Sequence, residues 1–472
     1  MAGPGAAAPP QPPPDEALRP GTGSTDLYGL TPELTRAIQE ALEADDLDRV
    51  EALVVPLHAA DMADLLEIVT ADERRLVVDA LRPQFDPDIL AELDETVRDE
   101  VVEQLSTNEL AAAVAQLDTD DAVYLIEDLD EAEKQAILAA VPEADRVAVE
   151  EGLAFPENSA GRLMQRDLVA VPVYWTIGQT IDFLRSADDL PDEFYDIFVV
   201  DARHVPTGYV PLSRAMRTRR PVLVREIMEP DLRTIPADMD QEDVAYLFHQ
   251  YGLVSAPVVD DSGRLIGVVT VDDVVGVIDE EAEEDIMRLG GVSETDLHEP
   301  AWRTTRRRFA WLLVNLGTAI VASTVIWQFD ATIEQMVALA VLMPIVASMG
   351  GNAGTQTLTV TVRALATKDV TPANAMRLVG KEGAVGLANG VLFAVITGAV
   401  AVAWFGDPVL GGVIALAMVV NMVVAGFAGI LIPLGLDRIG VDPAVAATVL
   451  LTTITDVVGF FGFLGLAALL LL

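Results

Sequence analysis

Five long hydrophobic segments in the C-terminal part of the chain constrain its fold more than any other feature. They lie near residues 309–329, 334–360, 383–405, 409–434 and 444–471. Each is long enough to cross roughly 30 Å of hydrocarbon as a helix. Because backbone polar groups inside hydrocarbon must be bonded within the protein, such segments fold as helices. The sequence therefore predicts an α-helical membrane domain of five spans over residues 309–472.

The basic residues of this part of the chain all fall on one side of the five segments. They precede the first segment, fill the loop after the second and follow the fourth. The nine residues are Arg303, Arg306, Arg307, Arg308, Arg363, Lys368, Arg377, Lys381 and Arg438. By the positive-inside rule this side is cytoplasmic. We therefore expect a multi-pass protein of the plasma membrane with cytoplasmic N-terminal domains and its C-terminus outside.

The second hydrophobic segment is interrupted by residues that disfavour a membrane helix. Between positions 344 and 363 it contains a proline, three glycines, an asparagine, a glutamine and four threonines. Polar or non-helical backbone at membrane depth occurs where protein buries it or where it lines a watery cavity, and transport sites often use interrupted helices. This pattern predicts a broken helix that lines a pore, with the amide of Asn352 and freed carbonyls around Gly350 as oxygen acceptors.

Asp456 is the only acidic residue in the last hydrophobic segment. A carboxylate near the bilayer centre costs roughly 3 kcal/mol and is by default a candidate for function. Thr448 and Thr452 precede it at intervals of four residues, which places all three side chains on one face of a helix. Mg²⁺ is usually held by one or two carboxylates through retained waters. Asp456 and Thr452 are therefore predicted to bind a cation in a pore.

Contacts between helices explain the isolated amides and the glycines of the third and fourth segments. For Asn389 and Asn421 the sequence favours hydrogen bonding between helices. Glycines at helical positions in the third and fourth segments are typical of close helix packing. The glycines in question are Gly386, Gly390, Gly426 and Gly429.

The rest of the chain is strongly acidic. The formal charge is −44, and because residues 301–472 carry eight acidic and nine basic residues, 66 acids and 21 bases lie in residues 1–300. Such a composition favours cations as partners and disfavours nucleic acid. The chain has no cysteine and four histidines, which excludes disulfides and disfavours an imidazole zinc site. We find neither a nucleophile–base arrangement nor a phosphate-binding loop, so the sequence predicts no enzyme.

The acidic part of the chain begins with two regions of different character. Residues 1–28 are rich in Pro, Ala and Gly and are predicted to be a disordered tail. Residues 29–155 repeat a short pattern in which acidic helix-start residues lead into an apolar stripe, as at 118–126. This repetition predicts an all-α N-domain built as an array of short stacked helices.

Residues 160–280 alternate β-branched and helical segments in two similar copies. This arrangement resembles a tandem pair of CBS domains, small α/β units that pair and often sense adenine nucleotides or ions. In the second copy Gly267, Thr270 and Asp273 match the family's Gly-x-x-Thr-x-x-Asp pattern. The resemblance implies ATP as a ligand of Thr270 and Asp273.

Residues 273–308 read as a long connecting helix with a break at Gly290 and Gly291. An acidic run over 279–285 precedes the break and four arginines follow it. Such charge runs are typical of solvated helix faces. This segment would join the CBS pair to the membrane domain.

Four short sequences in the membrane half resemble one known family. They are Gly350-Gly351-Asn352-Ala353-Gly354-Thr355-Gln356, Arg363-Ala364-Leu365-Ala366-Thr367, Gly440-Val441-Asp442-Pro443-Ala444 and Thr455-Asp456-Val457-Val458-Gly459. Together with the order of the domains, they make the chain similar to MgtE-type magnesium channels. The resemblance implies a homodimer in the lipid bilayer, with a central pore in which Asp456 binds hydrated Mg²⁺.

The same resemblance implies regulatory Mg²⁺ sites in the cytosolic part. The residues that match are Asp88, Asp120, Asp240, Asp273, Glu281, Glu284 and Asp285. We therefore expect Mg²⁺ uptake through a channel that cytosolic Mg²⁺ closes by bridging these carboxylates. Two other classes stay open at this point: a proton- or Na⁺-coupled transporter of Mg²⁺, Mn²⁺ or Co²⁺, and a membrane-anchored sensor without transport.

Overall fold

The computed structural model describes residues 29–187, 190–191, 193–292, 301–371 and 373–471. The predicted tail, residues 1–28, lies outside the described residues. The chain divides into two compact units, Met1–Asp279 and Glu280–Leu472.

The first unit begins with an array of short α-helices, as the sequence predicts. Their bounds are α1 Pro32–Glu43, α2 Leu47–Val54, α3 Ala59–Ile68, α4 Ala71–Leu81, α5 Asp88–Glu92, α6 Glu95–Val102, α7 Thr107–Val114, α8 Thr119–Glu127, α9 Glu131–Ala140 and α10 Glu143–Leu153. A 3₁₀ turn, Arg82–Gln84, follows α4. Polar residues start these helices: Thr70 and Ser106 each form a reciprocal capping box with a glutamate three residues later.

The helices of the N-domain bury one continuous apolar core. Leu65, Val77 and Ile126 are among its fully buried side chains. Arg98 is also buried; its guanidinium donates to Asp128 at 2.6 Å and lies 4.1 Å from the centre of the Tyr124 ring. Burial of a charge is tolerated there because an ion pair and a cation–π contact accompany it.

Two three-stranded sheets follow, each with the same topology. The elements are β1 Ala170–Pro172, α11 Ile177–Ser186, β2 Asp196–Val200, β3 Pro206–Pro211, α12 Leu212–Arg217, α13 Val224–Ile227, β4 Ile235–Pro236, α14 Gln241–Tyr251, β5 Ser255–Val259 and β6 Leu265–Thr270. In each sheet the first strand is parallel to the second and the second is antiparallel to the third. Phe198 and Val268 belong to a buried cluster that both sheets share. The repeated topology agrees with the predicted pair of CBS domains.

The connecting helix, α15, spans Val271–Gly290 and ends where the sequence predicts a break. Gly291 has a φ of 71°, and the amide of Val292 donates to the Met287 carbonyl at 3.0 Å. This is the usual way in which glycine ends a helix. The arginines at 303–308 belong to the next helix rather than to α15.

The second unit contains five helices that are long and apolar enough to cross a membrane. They are α16 Ala301–Trp327, α18 Ala338–Ala366, α19 Ala375–Phe405, α20 Pro408–Arg438 and α21 Pro443–Leu470, with a short helix α17 Asp330–Gln335 after the first. The number and order of the predicted spans are confirmed. The helices α18 and α19 extend further toward their shared loop than the hydrophobic segments suggested.

Helices α19 and α20 pack closely because glycines lie at their contact. A Cβ atom on Gly386 would lie 2.7 Å from the Met422 carbonyl oxygen, and one on Gly426 would lie 2.8 Å from the Glu382 carbonyl oxygen. Gly390 also lies at this contact, with the Val419 Cα at 3.1 Å, whereas Gly429 lies against α18, with the Gly354 carbonyl oxygen at 2.7 Å. The prediction that these four glycines serve helix packing is confirmed.

We expect the substitution Gly386→Ala to destabilise the membrane domain by about 1–3 kcal/mol, because the added methyl group overpacks the contact with α20. Gly380→Ala on the same helix is the matched control, since a Cβ there meets nothing within 4 Å. The control should be neutral or stabilising by up to about 1 kcal/mol, because alanine favours helix. The measurement is the thermal unfolding midpoint of the purified protein in detergent, and equal shifts for both variants would contradict this explanation.

Candidate functional site

Asp456 lies in the middle of the last membrane helix. The helix α21 starts with Pro443 in its first turn, and the carboxylate of Asp442 caps it by accepting from the Ala444 amide at 2.8 Å. Asp456 follows thirteen residues after Pro443, which is about 20 Å along the helix. Its side chain is half-buried. Among the residues that the structure describes, its carboxylate makes no hydrogen bond or ion pair.

Thr452, one turn before Asp456, uses its hydroxyl proton inside its own helix. Thr452 Oγ1 donates to the carbonyls of Thr448 and Val449, both at 3.1 Å. The lone pairs of this hydroxyl stay available as acceptors. The face of α21 that carries Thr452 and Asp456 therefore offers oxygen atoms to a cation or to its bound waters.

The prediction of a broken second span is wrong. The helix α18 is continuous from Ala338 to Ala366, although Pro344 lies inside it. The backbone around Gly350 is helical, so it supplies no freed carbonyls to a pore. Threonines do not interrupt the helix because their hydroxyls bond back to it, as Thr355 does to the Gly351 carbonyl at 2.9 Å.

The glycines of α18 serve close packing instead. A Cβ on Gly350 would collide with the amide of Asn421 on α20, and one on Gly354 would lie 2.7 Å from Leu451 Cδ1 on α21. The Asn421 amide is buried and donates to the Val346 carbonyl at 2.8 Å, which confirms the predicted bond between helices.

Asn352 lies on a different face of α18 from the packing glycines. It is two residues, or about 200° around the helix, from Gly354, and its side chain is exposed within the single chain. Thr355 and Thr359 are exposed beside it. The fold of one chain therefore does not bring Asn352 into the contact of α18 with α21.

A second group of acidic residues surrounds the start of α21. Arg288 near the end of α15 pairs with Glu284 on its own helix and with Asp442 at 2.5 Å. Burial, together with Asp442 and Glu281, raises the pKa of Asp285 to about 6. Thr448 Oγ1 donates to the Leu289 carbonyl at 3.4 Å. The end of α15 thus packs against the helix that carries Asp456.

The first unit contains a buried acidic cluster, in which Asp120 is buried and Asp121 and Asp273 are partly buried. Asp120 is 6% exposed and its Oδ1 has no hydrogen-bond partner among the described residues. Burial and the charge of Asp273 raise the pKa of Asp120 well above its usual value. The same causes raise the pKa of Asp121 to about 7. Burial raises the pKa of Asp273 to about 6.

The other predicted regulatory carboxylates have different surroundings. Burial is the main cause that raises the pKa of Asp88 at the start of α5, and the nearby charge of Asp86 raises it further. Asp240 is the N-cap of α14 and accepts from the Glu242 amide at 2.9 Å. The structure therefore gives Asp240 a role in starting a helix.

The residues expected to contact ATP lie next to each other. Thr270 Oγ1 donates to Asp273 Oδ2 at 2.6 Å, and Gln165 Nε2 donates to the same oxygen at 3.3 Å. Asp273 is also part of the buried acidic cluster. Binding of ATP at these residues stays a prediction.

The candidate cation sites offer few protein side chains as direct metal ligands. In the described part of the chain, no three acidic or histidine side chains converge so that they could hold a metal ion. A cation at Asp456 or at the start of α21 would therefore keep most of its waters. Mg²⁺ tolerates this well because it dehydrates reluctantly.

Sequence reasoning missed two features of the membrane unit. Glu382 directly precedes the third hydrophobic segment, but α19 starts at Ala375 and so includes it. The pairing of Arg288 with Asp442 joins residues far apart in sequence. The position of Glu382 next to a hydrophobic segment is visible in the sequence, whereas no local pattern indicates the ion pair.

Three family models match the chain. The MgtE model, described as a divalent cation transporter, matches residues 343–466. The model of the MgtE intracellular N domain matches residues 57–158, and the CBS domain model matches residues 224–280.

Several characterised proteins are similar to the chain. The magnesium transporter MgtE of Thermus thermophilus is 37% identical over 330 residues, which cover 69% of this chain and 73% of that protein. The magnesium transporter MgtE of Enterococcus faecalis is 31% identical over 68% of this chain and 71% of that protein. A solved structure of the cytosolic domain of the Mg²⁺ channel MgtE in complex with ATP is 30% identical, with a TM-score of 0.47, and covers 52% of this chain and 99% of that one.

These matches extend over the helical N-domain, the second CBS domain and the membrane helices. They agree with the order of domains seen in the structure. They also indicate that the protein is a transporter and not an enzyme. The chain belongs to the MgtE family of divalent cation transporters.

Proposed function

We propose that the protein is a Mg²⁺ channel whose ion-binding residue is Asp456. The observation that carries this proposal is the position of its carboxylate, halfway along α21, half-buried, and without a protein partner in the described residues. A charge in this position is costly unless an ion or water accompanies it. The relatives from Thermus thermophilus and Enterococcus faecalis are magnesium transporters by name, which supports Mg²⁺ as the ion.

The pore forms between two copies of the chain. The exposed face of α18 carries Asn352, Thr355 and Thr359, and polar side chains at membrane depth need protein or water around them. A two-fold axis would place this face and Asp456 opposite their equivalents in a second copy. Asn352 and Thr452 then supply oxygen acceptors to the hydrated ion.

Cytosolic Mg²⁺ closes the channel through the end of α15. Glu281, Glu284 and Asp285 lie on this helix, which contacts α21 through Arg288 and Leu289. Arg288 is shared between Glu284 and Asp442. Bound Mg²⁺ would hold the end of α15 against α21 and keep the pore shut, whereas loss of Mg²⁺ lets the acidic residues repel one another.

The buried acidic cluster is a second Mg²⁺ sensor. Asp120, Asp121 and Asp273 come from the N-domain and from the start of α15, and their pKa values are raised first by burial and then by neighbouring carboxylates. A divalent cation would relieve this repulsion and hold the N-domain to the CBS pair.

For proteoliposomes that contain the purified protein, we expect Mg²⁺ influx without any proton or Na⁺ gradient. Asp456→Ala should reduce this influx by about 10- to 100-fold, because the only carboxylate along the pore is removed. The measurement uses a Mg²⁺-sensitive dye inside the vesicles.

The matched control for this experiment is Glu334→Gln, which neutralises an exposed carboxylate of the same unit. Its influx should equal that of the wild type. Undiminished influx in Asp456→Ala would refute the assignment of the site, and wild-type influx that requires a proton or Na⁺ gradient would show a coupled transporter.

The triple variant E281Q/E284Q/D285N should keep the channel open at Mg²⁺ concentrations that close the wild type. The reason is that the end of α15 loses its ligands for inhibitory Mg²⁺. The measurement is the open probability in excised patches as Mg²⁺ is added to the cytoplasmic side.

A control triple variant removes the same charge from exposed positions of α15, namely D279N/E280Q/E283Q. We expect its Mg²⁺ response to stay close to that of the wild type. Equal responses in both triple variants would attribute gating to overall charge and contradict a specific site.

Without Mg²⁺, the thermal unfolding midpoint of the cytosolic part should fall as the pH rises from about 5 to about 8. Asp121 and Asp273 have pKa values raised to about 7 and about 6 in the folded protein. Their protonation therefore stabilises the fold at low pH, and this stability is lost as the pH passes these values. Mg²⁺ should restore the midpoint at pH 8 and have little effect at pH 5, because it binds the ionised carboxylates.

The variant Asp120→Asn should weaken both the pH dependence and the response to Mg²⁺. Asp48→Asn, at an exposed position of α2, serves as its control and should retain both. A midpoint that does not depend on pH in the absence of Mg²⁺ would contradict this account of the cluster.

A further inference from the structure

A pocket lies between α18, α19 and α20, within the membrane unit. Its volume is about 170 Å³. The polar side chains that line it are Gln356, Thr357, Glu382 and Asn389. The sequence analysis had not connected these four residues, and the proposed pore does not use them.

Glu382 provides the only charge of this lining. Its side chain is 14% exposed, and Oε2 accepts a hydrogen bond from Thr357 Oγ1 at 3.1 Å. The Lys381 ammonium is 3.9 Å from the other oxygen and is 66% exposed, so the pair contributes little. The Glu382 carboxylate thus lines the pocket with one hydrogen bond and one weak ion pair.

Glu382 lies near the start of α19. It is seven residues after Ala375, the first residue of the helix, which is about 10 Å along it, and it directly precedes the hydrophobic segment 383–405. A largely buried carboxylate needs hydrogen-bond partners or water around it. We therefore expect the pocket to hold water or a ligand.

The pocket is distinct from the proposed pore site. Its walls come from α18, α19 and α20, whereas Asp456 is on α21. On α18 the pocket uses Ala353, Gln356, Thr357 and Val360. Thr357 lies about 140° around the helix from Asn352 and Gln356 about 40°, so the pocket occupies the face of α18 next to the one that carries Asn352.

The size and chemistry of the pocket fit one class of ligand. Its volume corresponds to about six water molecules at roughly 30 Å³ each. One carboxylate, two amides and one hydroxyl are too few to replace the hydration shell of a divalent cation, but they suit hydrogen bonds from its bound waters. The pocket would therefore take a cation that arrives with its waters.

We propose that this pocket is a second cation site, which binds a fully hydrated divalent cation through water-mediated contacts with Glu382. The identity of the ion as Mg²⁺ rests on the proposed function. The site itself rests on the pocket and on the carboxylate.

The test measures the reaction of Glu382 with dicyclohexylcarbodiimide, which modifies carboxyl groups in apolar surroundings. The full-length protein in nanodiscs is treated with the reagent at increasing Mg²⁺, and modification of the Glu382 peptide is followed by mass spectrometry. At a Mg²⁺ concentration ten times the dissociation constant, we expect the modification to slow by about tenfold, because the free site falls by that factor. Hexaamminecobalt(III), an exchange-inert mimic of hydrated Mg²⁺, should protect Glu382 as well.

Asp456→Asn provides the control for independence and should leave the protection of Glu382 unchanged. No protection by Mg²⁺, or equal protection by Na⁺ at the same ionic strength, would overturn the proposal. Failure of hexaamminecobalt(III) to protect would refute water-mediated binding. If Mg²⁺ protects Glu382 but the protein shows no passive Mg²⁺ influx, the cation site is supported and the proposed channel is contradicted. Failure of the cation site and failure of the proposed function can therefore be told apart.

Discussion

The membrane unit depends on the close approach of three helices around Asn421. This residue is buried on α20 and donates to the Val346 carbonyl on α18. A Cβ atom on Gly350 would collide with its amide, and one on Gly459 would press against it. Because both glycines lack side chains, α18 and α21 can approach the amide from two sides. Gly459 is three residues after Asp456, so the contact that fixes this part of α21 also fixes the carboxylate.

The protein keeps acidic side chains where there are few cations to neutralise them. Asp456 has no partner among the described residues, Arg288 is shared between Glu284 and Asp442, and Asp120 is buried near Asp273. Each arrangement concentrates negative charge, which a bound divalent cation would offset. The same physical principle therefore underlies the proposed pore, the proposed gate and the proposed second Mg²⁺ sensor.

Much of the architecture was predictable because it depends on local sequence patterns. Five hydrophobic segments of sufficient length predicted five membrane helices, acidic caps before apolar stripes predicted the helical N-domain, and glycine predicted the end of α15. The family followed from short sequences around Asn352 and Asp456. The main error concerned α18, where proline, glycine and threonine suggested a broken helix. Threonine back-bonding and contacts with Asn421 and Leu451 keep that helix continuous, and such contacts cannot be inferred from composition.

The sequence by itself determined which residues are candidates for chemistry: a single carboxylate in the last span, an acidic run before the membrane domain, and an acidic N-domain. These are properties of residue type and spacing along one helix, and hydrophobic periodicity reveals them directly. Only the tertiary structure decided which of them meet. It placed Arg288 against Asp442, buried Asp120 near Asp273, and enclosed Glu382 in a pocket. The reason is that these contacts join residues distant in sequence, and packing between helices selects them.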